Sequence, residues 1–141
     1  MSVDIEELAR VAIDCGFKIH RDLGPGLLES VYEAVLYAAL QKRGITVERQ
    51  KPIEIRYEDL VLREGFRADL MLEGALIIEL KSTERPAPVH AKQLLTYLRL
   101  TQQPLGLLMN FGEATFRDGL RRVVNNHTAF ASSRLRVNQL P

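Results

Sequence analysis

Three charged residues stand in segments that otherwise have the pattern of buried strand. Asp69 lies in Arg67-Ala68-Asp69-Leu70-Met71, and Glu79 and Lys81 lie in Ile77-Ile78-Glu79-Leu80-Lys81. A carboxylate withdrawn from water is costly unless a cation or hydrogen bonds compensate it, so charges placed here point to a use. Residues two apart on a strand share a face, which puts Glu79 beside Lys81 while Ile78 and Leu80 turn towards the core. Two carboxylates, Asp69 and Glu79, together with the Leu80 carbonyl suit a hard, oxygen-seeking divalent ion such as Mg²⁺ or Mn²⁺. Lys81 beside them can orient or deprotonate a water, which is the chemistry of metal-assisted hydrolysis.

Whether Asp69 joins the other two depends on hairpin register. A two-residue Glu73-Gly74 loop would pair Leu72 with Ala75 and set Asp69 opposite Ile78, on the wrong face. A three-residue loop Leu72-Glu73-Gly74, with Gly74 in the left-handed position and a bulge beside it, pairs Met71 with Ala75 and unites Asp69, Glu79 and Lys81. The three-residue loop is the expectation.

The elements that must position these residues follow from periodicity. Ile5, Leu8, Ala9, Ala12, Gly16 and Ile19 give an amphipathic helix from about Asp4 to His20, stopped by Gly24-Pro25-Gly26. A second helix runs from about Leu28 to Arg43, with Leu28, Val31, Val35 and Ala38 expected on its buried face and Gly44 as its stop. From Thr46 the period becomes two, with Ile53, Ile55 and Tyr57 alternating with Glu54, Arg56 and Glu58. Leu60 to Leu72 and Ala75 to Lys81 form the next strands, the latter apolar enough to be central in a sheet. A third helix over about Val89 to Leu100 buries Ala91, Leu94, Leu95 and Leu98, and Pro104 opens a strand from Leu105 to Phe111. Beyond Gly112, Phe116, Leu120, Val123 and Val124 suggest a short strand or edge element.

The chain of 141 residues has the size of one domain, read here as residues 1–125 followed by a poorly ordered tail over 126–141. Nineteen Lys and Arg against eighteen Asp and Glu leave a net charge of +1, so no global field would hold it on a polyanion, and nucleic-acid contact must be local. Cys15 is the only cysteine, which excludes an intrachain disulfide, a Cys-based zinc site and a C-x-x-C redox pair. The compartment expected is the reducing cytoplasm. Charges at Asp4, Glu6, Glu7, Arg10, Asp14 and Lys18 interrupt any signal-peptide core, and no apolar stretch is long enough to span a bilayer.

Asp69, nine residues, then Glu79-x-Lys81 resembles the active-site pattern of the PD-(D/E)xK, restriction-endonuclease-like nucleases, with Ala68 where the pattern has Pro. Gln93 and Tyr97 match the Q-x-x-x-Y pattern often carried on the following helix. Gly26-Leu27-Leu28-Glu29-Ser30-Val31-Tyr32 resembles the signature of the GxxExxY protein family, as do Ile19 to Gly26, Asn110-Phe111-Gly112 and Arg121 to Asn125. The resemblance spans about Val3 to Asn125. It implies an α/β fold with an αβββαβ core, a mixed central sheet flanked by helices and an extra N-terminal helix. It further implies Asp69 and Glu79 as metal carboxylates, Lys81 as catalytic lysine, Glu29 as a helix glutamate reaching the metal through water, and Gln93 as the motif glutamine. The function implied is a Mg²⁺- or Mn²⁺-dependent nuclease acting on nucleic acid, DNA ahead of RNA. Its near-neutral charge leaves a lone domain little basic surface for nucleic acid, so a homodimer or a partner protein is expected to supply more.

Plainer readings stand beside these. Glu79 and Lys81 also read as a solvated edge-strand pair, Glu29 as a complement to a helix N-terminus, and Gln93 with Tyr97 as a surface patch. His20 and His90 read as helix-end and surface histidines, Arg117, Arg121 and Arg122 as a solvated face, and Cys15 as inert core. A nuclease-like adaptor is the alternative from another functional class. A two-carboxylate glycosidase has less use for the lysine.

Overall fold

The computed structural model describes residues 3–126. Nearly all of the expected C-terminal tail lies outside the described residues. Helix α1 (Ile5–Leu23) opens on Asp4, whose carboxylate accepts from the Glu6 and Glu7 N–H groups at 3.1 and 3.2 Å. It runs three residues past the expected His20 and stops at Gly24, where φ is +72°. Its buried stripe includes Leu8, Ala9, Ala12, Cys15 and Ile19. Cys15 is core, and burial raises its thiol pKa, away from a reactive thiolate.

Helix α2 (Glu29–Lys42) corrects one expectation. It buries Tyr32, Glu33, Leu36 and Leu40, whereas Leu28, Val31, Val35 and Ala38 are exposed. The helix is apolar nearly all round, so periodicity alone does not select a face. Tyr32 selects it, stacking on Phe111 with ring centroids 4.5 Å apart while its hydroxyl donates to the Gly24 carbonyl.

Five strands follow: β1 (Val47–Tyr57), β2 (Leu60–Leu72), β3 (Leu76–Lys81), β4 (Leu105–Asn110) and β5 (Leu120–Val124). They form one sheet in the order β1-β2-β3-β4-β5, antiparallel except for the parallel β3–β4 pair, which α3 (Pro88–Thr101) connects. The segment beyond Gly112 is a short helix α4 (Phe116–Gly119), capped by Thr115, followed by β5 on the edge. Because β3 lies between β2 and β4, the edge-strand reading of Glu79 and Lys81 is overturned.

Helices cover both faces. Helices α1 and α2 pack with Leu70, Leu72, Leu76, Ile78, Leu80, Leu107 and Met109. On the other face Leu94 and Leu98 of α3 meet Phe66, Ala68, Met71, Ile77 and Leu108. Ala91 and Leu95, expected to be buried with them, are only half-buried. No helix among the described residues is long and apolar enough to cross a membrane.

Candidate active site

The β2–β3 hairpin is where charge enters the sheet. Its register pairs Leu72 with Leu76, Met71 with Ile77 and Leu70 with Ile78, so the loop is Glu73-Gly74-Ala75 and not Leu72-Glu73-Gly74. Glu73 and Gly74 have φ of +52° and +65°, and the Ala75 N–H returns to the Leu72 carbonyl at 2.8 Å. Two successive left-handed residues let Leu72 stay in the ladder, which shifts the pairing by two from the Met71–Ala75 expectation. A shift of two preserves the face. Continuing the register sets Asp69 directly opposite Glu79.

At that point the backbone ladder gives way to side chains. The Asp69 N–H donates to Glu79 Oε2 at 2.9 Å, and the Leu80 N–H donates to Asp69 Oδ2 at 2.8 Å. On a strand the N–H and C=O of one residue leave by the same edge, so the Leu80 carbonyl also faces the gap where β2 and β3 part. Lys81 is held on the opposite edge, its carbonyl accepting from the Phe111 N–H at 2.8 Å. Leu76, Ile78 and Leu80 belong to the α1/α2-side core and Ile77 to the α3-side core, so Glu79 and Lys81 project with Ile77 towards α3.

Glu79 is buried, and among the described residues no cation forms an ion pair with it. Burial pushes its carboxyl up to about 8, helped by the negative charges of Asp69 and Glu29; the Asp69 N–H and the Lys81 ammonium act in the opposite sense. Tyr97 of α3 stacks on Phe66 with centroids 3.7 Å apart. Its hydroxyl pKa is raised by burial and by the charges of Glu79 and Asp69. Gln93, one turn earlier, is exposed and makes no side-chain hydrogen bond among the described residues.

Glu29, the first residue of α2, is exposed and lines an open cleft of about 790 Å³ with Gly26, Leu27, Ser82, Glu84 and Gly112. Its charge is felt at Glu79, although no three His, Cys, Asp or Glu side chains among the described residues gather as a metal-holding group. Tyr32 fixes the approach to this cleft, and Ser82 donates to the Leu27 carbonyl at 2.5 Å. The far wall is set by Asn110, whose carboxamide accepts from the Thr83 and Gly112 N–H groups at 3.0 Å and donates to the Thr83 carbonyl at 2.9 Å. Gly112 is required there, since a Cβ would lie 2.4 Å from the Thr83 nitrogen.

Two further residues, Glu33 and Gln50, complete the site. Glu33, one turn after Glu29, is buried and accepts from Arg49 Nε at 3.1 Å and Gln50 Nε2 at 2.7 Å. The same Gln50 nitrogen reaches Asp69 Oδ1 at 3.0 Å. A glutamate spaced i+4 from Glu29 was the available hint for Glu33; nothing distinguished Gln50 among the polar residues of β1.

The histidine and arginine expectations divide. His20 stands in the last turn of α1, as a helix-end histidine would, but is buried, with Nε2 2.8 Å from the Glu113 carbonyl and its ring stacked near Phe111. Arg122 pairs with Glu6, and Arg121 donates to the Asp118 and Leu120 carbonyls, as a solvated structural face would.

The mixed sheet between helical layers has the restriction-endonuclease-like architecture. No curated protein matches the chain. A family described as the PD-(D/E)XK nuclease superfamily matches residues 6–123, a span that runs from the first turn of α1 through most of β5 and includes Asp69, Glu79 and Lys81. The chain belongs to the PD-(D/E)XK nuclease superfamily.

Proposed function

We propose that the protein is a divalent-metal-dependent nuclease of the GxxExxY type, hydrolysing phosphodiester bonds of nucleic acid, DNA ahead of RNA. The observation that carries this reading is the opening of the β2–β3 ladder, which leaves two carboxylates and a backbone carbonyl around one gap with a lysine on the same face. The donor set fits a hard cation: it is all oxygen, and the buried Glu79 carboxyl has no ion-pair partner among the described residues. Asp69, Glu79 and the Leu80 carbonyl would hold Mg²⁺ or Mn²⁺, with Glu29 acting through water. Such an ion, when bound, supplies Lewis-acid stabilisation of phosphoryl charge and a more acidic water. Lys81 Nζ orients the attacking water and accepts or returns its proton. Gln93 of α3 would serve as the motif glutamine.

A nuclease-like adaptor is the second reading, and the charge distribution favours it. Nine of the seventeen Lys and Arg among the described residues are ion-paired within the chain, and the net charge is only +1, so a second copy or a partner would help to hold a phosphate backbone. A cleavage assay on labelled single-stranded DNA, duplex DNA and RNA, with Mg²⁺, Mn²⁺ or EDTA, separates the two. Cleavage that requires metal and is absent in Lys81→Ala supports the nuclease. Nucleic-acid binding equal in wild type and Lys81→Ala, with no turnover in folded, metal-competent protein, supports the adaptor.

A further inference from the structure

Gln50 has φ of +47° in the middle of β1, a backbone conformation that L side chains rarely adopt. Its neighbours pair normally, Arg49 with Leu70 and Lys51 with Ala68, so the left-handed residue falls opposite Asp69. The alternation of β2 also breaks here: Phe66 and Ala68 pack with the α3-side cluster, Leu70 and Leu72 with the other. Much of Gln50 faces solvent, but its carboxamide turns inward and spans two acids, 2.7 Å from Glu33 Oε1 and 3.0 Å from Asp69 Oδ1.

The chemistry of that bridge is specific. Carboxylate oxygens only accept, and an NH₂ group has two hydrogens to give, so one amide nitrogen satisfies both acids at once. Glu33 is buried and anchored a second time by Arg49 at 3.1 Å, which makes it a fixed post on α2. Asp69 is thereby held at both oxygens, Oδ1 by Gln50 and Oδ2 by the Leu80 N–H. An arginine or lysine in place of Gln50 would bring a positive charge against Asp69 and compete with a cation; the neutral amide fixes the carboxylate and leaves its charge available.

We propose that Gln50 is a positioning residue that sets the Asp69 carboxylate for cation binding by tethering it to the buried Glu33 on α2. The inference rests on the reading of Asp69 as a metal carboxylate. It assigns the strained backbone of β1 a purpose, since the left-handed residue is the one whose amide reaches both acids.

The test is a calorimetric Mn²⁺ titration of the full chain as wild type, Gln50→Met, Gln50→Gly, Glu33→Gln and Asp69→Ala, with the Tm of each metal-free protein. Methionine keeps the length and removes the donor; glycine removes the side chain and accepts positive φ without strain. Both Gln50 variants should bind Mn²⁺ about 10- to 100-fold more weakly, the usual scale for removing a partner of a metal ligand. Gln50→Gly should do so with Tm at or above the wild-type value, which a merely structural role would not produce. Glu33→Gln should weaken binding too, and its loss should not add to that of Gln50→Met, because both break one tether. Wild-type affinity in both Gln50 variants, with binding lost in Asp69→Ala, would overturn this inference alone. Unchanged affinity in Asp69→Ala would overturn the reading of the site and this inference with it.

Discussion

The two ends of the β2–β3 hairpin are built from nearly adjacent residues and put to opposite uses. At the turn, Leu70, Met71 and Leu72 pair with Ile78, Ile77 and Leu76, all buried and apolar, and the ladder is intact. One pair further on, Asp69 and Glu79 take over hydrogen bonds that the backbone would otherwise make. The closed end secures the sheet by burial, and the open end keeps two acids and a carbonyl in a gap whose neighbours cannot collapse. The comparison shows how a central strand can carry charge: the sheet yields its backbone pairing locally and the carboxylates satisfy what is left.

The largest effect expected is on chemistry at the open end. Asp69→Ala or Glu79→Ala should lower cleavage by about 10²–10³-fold or more, read as single-turnover rate, because each removes a group that holds charge-stabilising machinery. Lys81→Ala should lose cleavage while retaining much of the Mn²⁺ affinity, which separates water activation from metal binding. At the closed end the loss should fall on stability. Leu76→Ala or Ile78→Ala should cost about 2–5 kcal/mol in urea unfolding, with cleavage per folded molecule kept.

The pH dependence sharpens the contrast. The Glu79 carboxyl is raised from 4.5 to about 8, so the folded protein binds that proton more tightly than the unfolded chain does. Its contribution to stability is complete below about 4.5 and is lost as pH rises to about 8. Metal-free protein should therefore show a Tm that falls across that window, and Glu79→Gln should flatten the fall. Metal affinity should change in the opposite sense, rising with pH as the carboxyl ionises. The smallest effect belongs to neither end: Arg122→Ala breaks an exposed pair with Glu6 and should change stability by less than about 1 kcal/mol, with cleavage unchanged.

Much of this was legible in the residues. The period-two pattern of β1 and the apolar run of β3 gave the strands, and parity alone required an odd-length loop to bring Asp69 to the face of Glu79 and Lys81. The expected loop begins one residue early, because a left-handed conformation at Glu73 is not announced by a glutamate. Periodicity turns helix α2 the wrong way, since Val31, Val35 and Ala38 offer an apolar stripe beside that of Leu36 and Leu40 and the decision lies with the Tyr32–Phe111 stack, a contact between residues far apart in the chain. Gln50 was invisible for a related reason: its role depends on a strained φ and on two acids from other elements.

The central claim is that the open end of the hairpin is a metal centre. Crystals of the wild-type protein grown with Mn²⁺, measured at a wavelength where manganese scatters anomalously, test it most directly. The account predicts an anomalous peak bonded by Asp69, Glu79 and the Leu80 carbonyl. A peak on other residues, or none at saturating Mn²⁺, would contradict it.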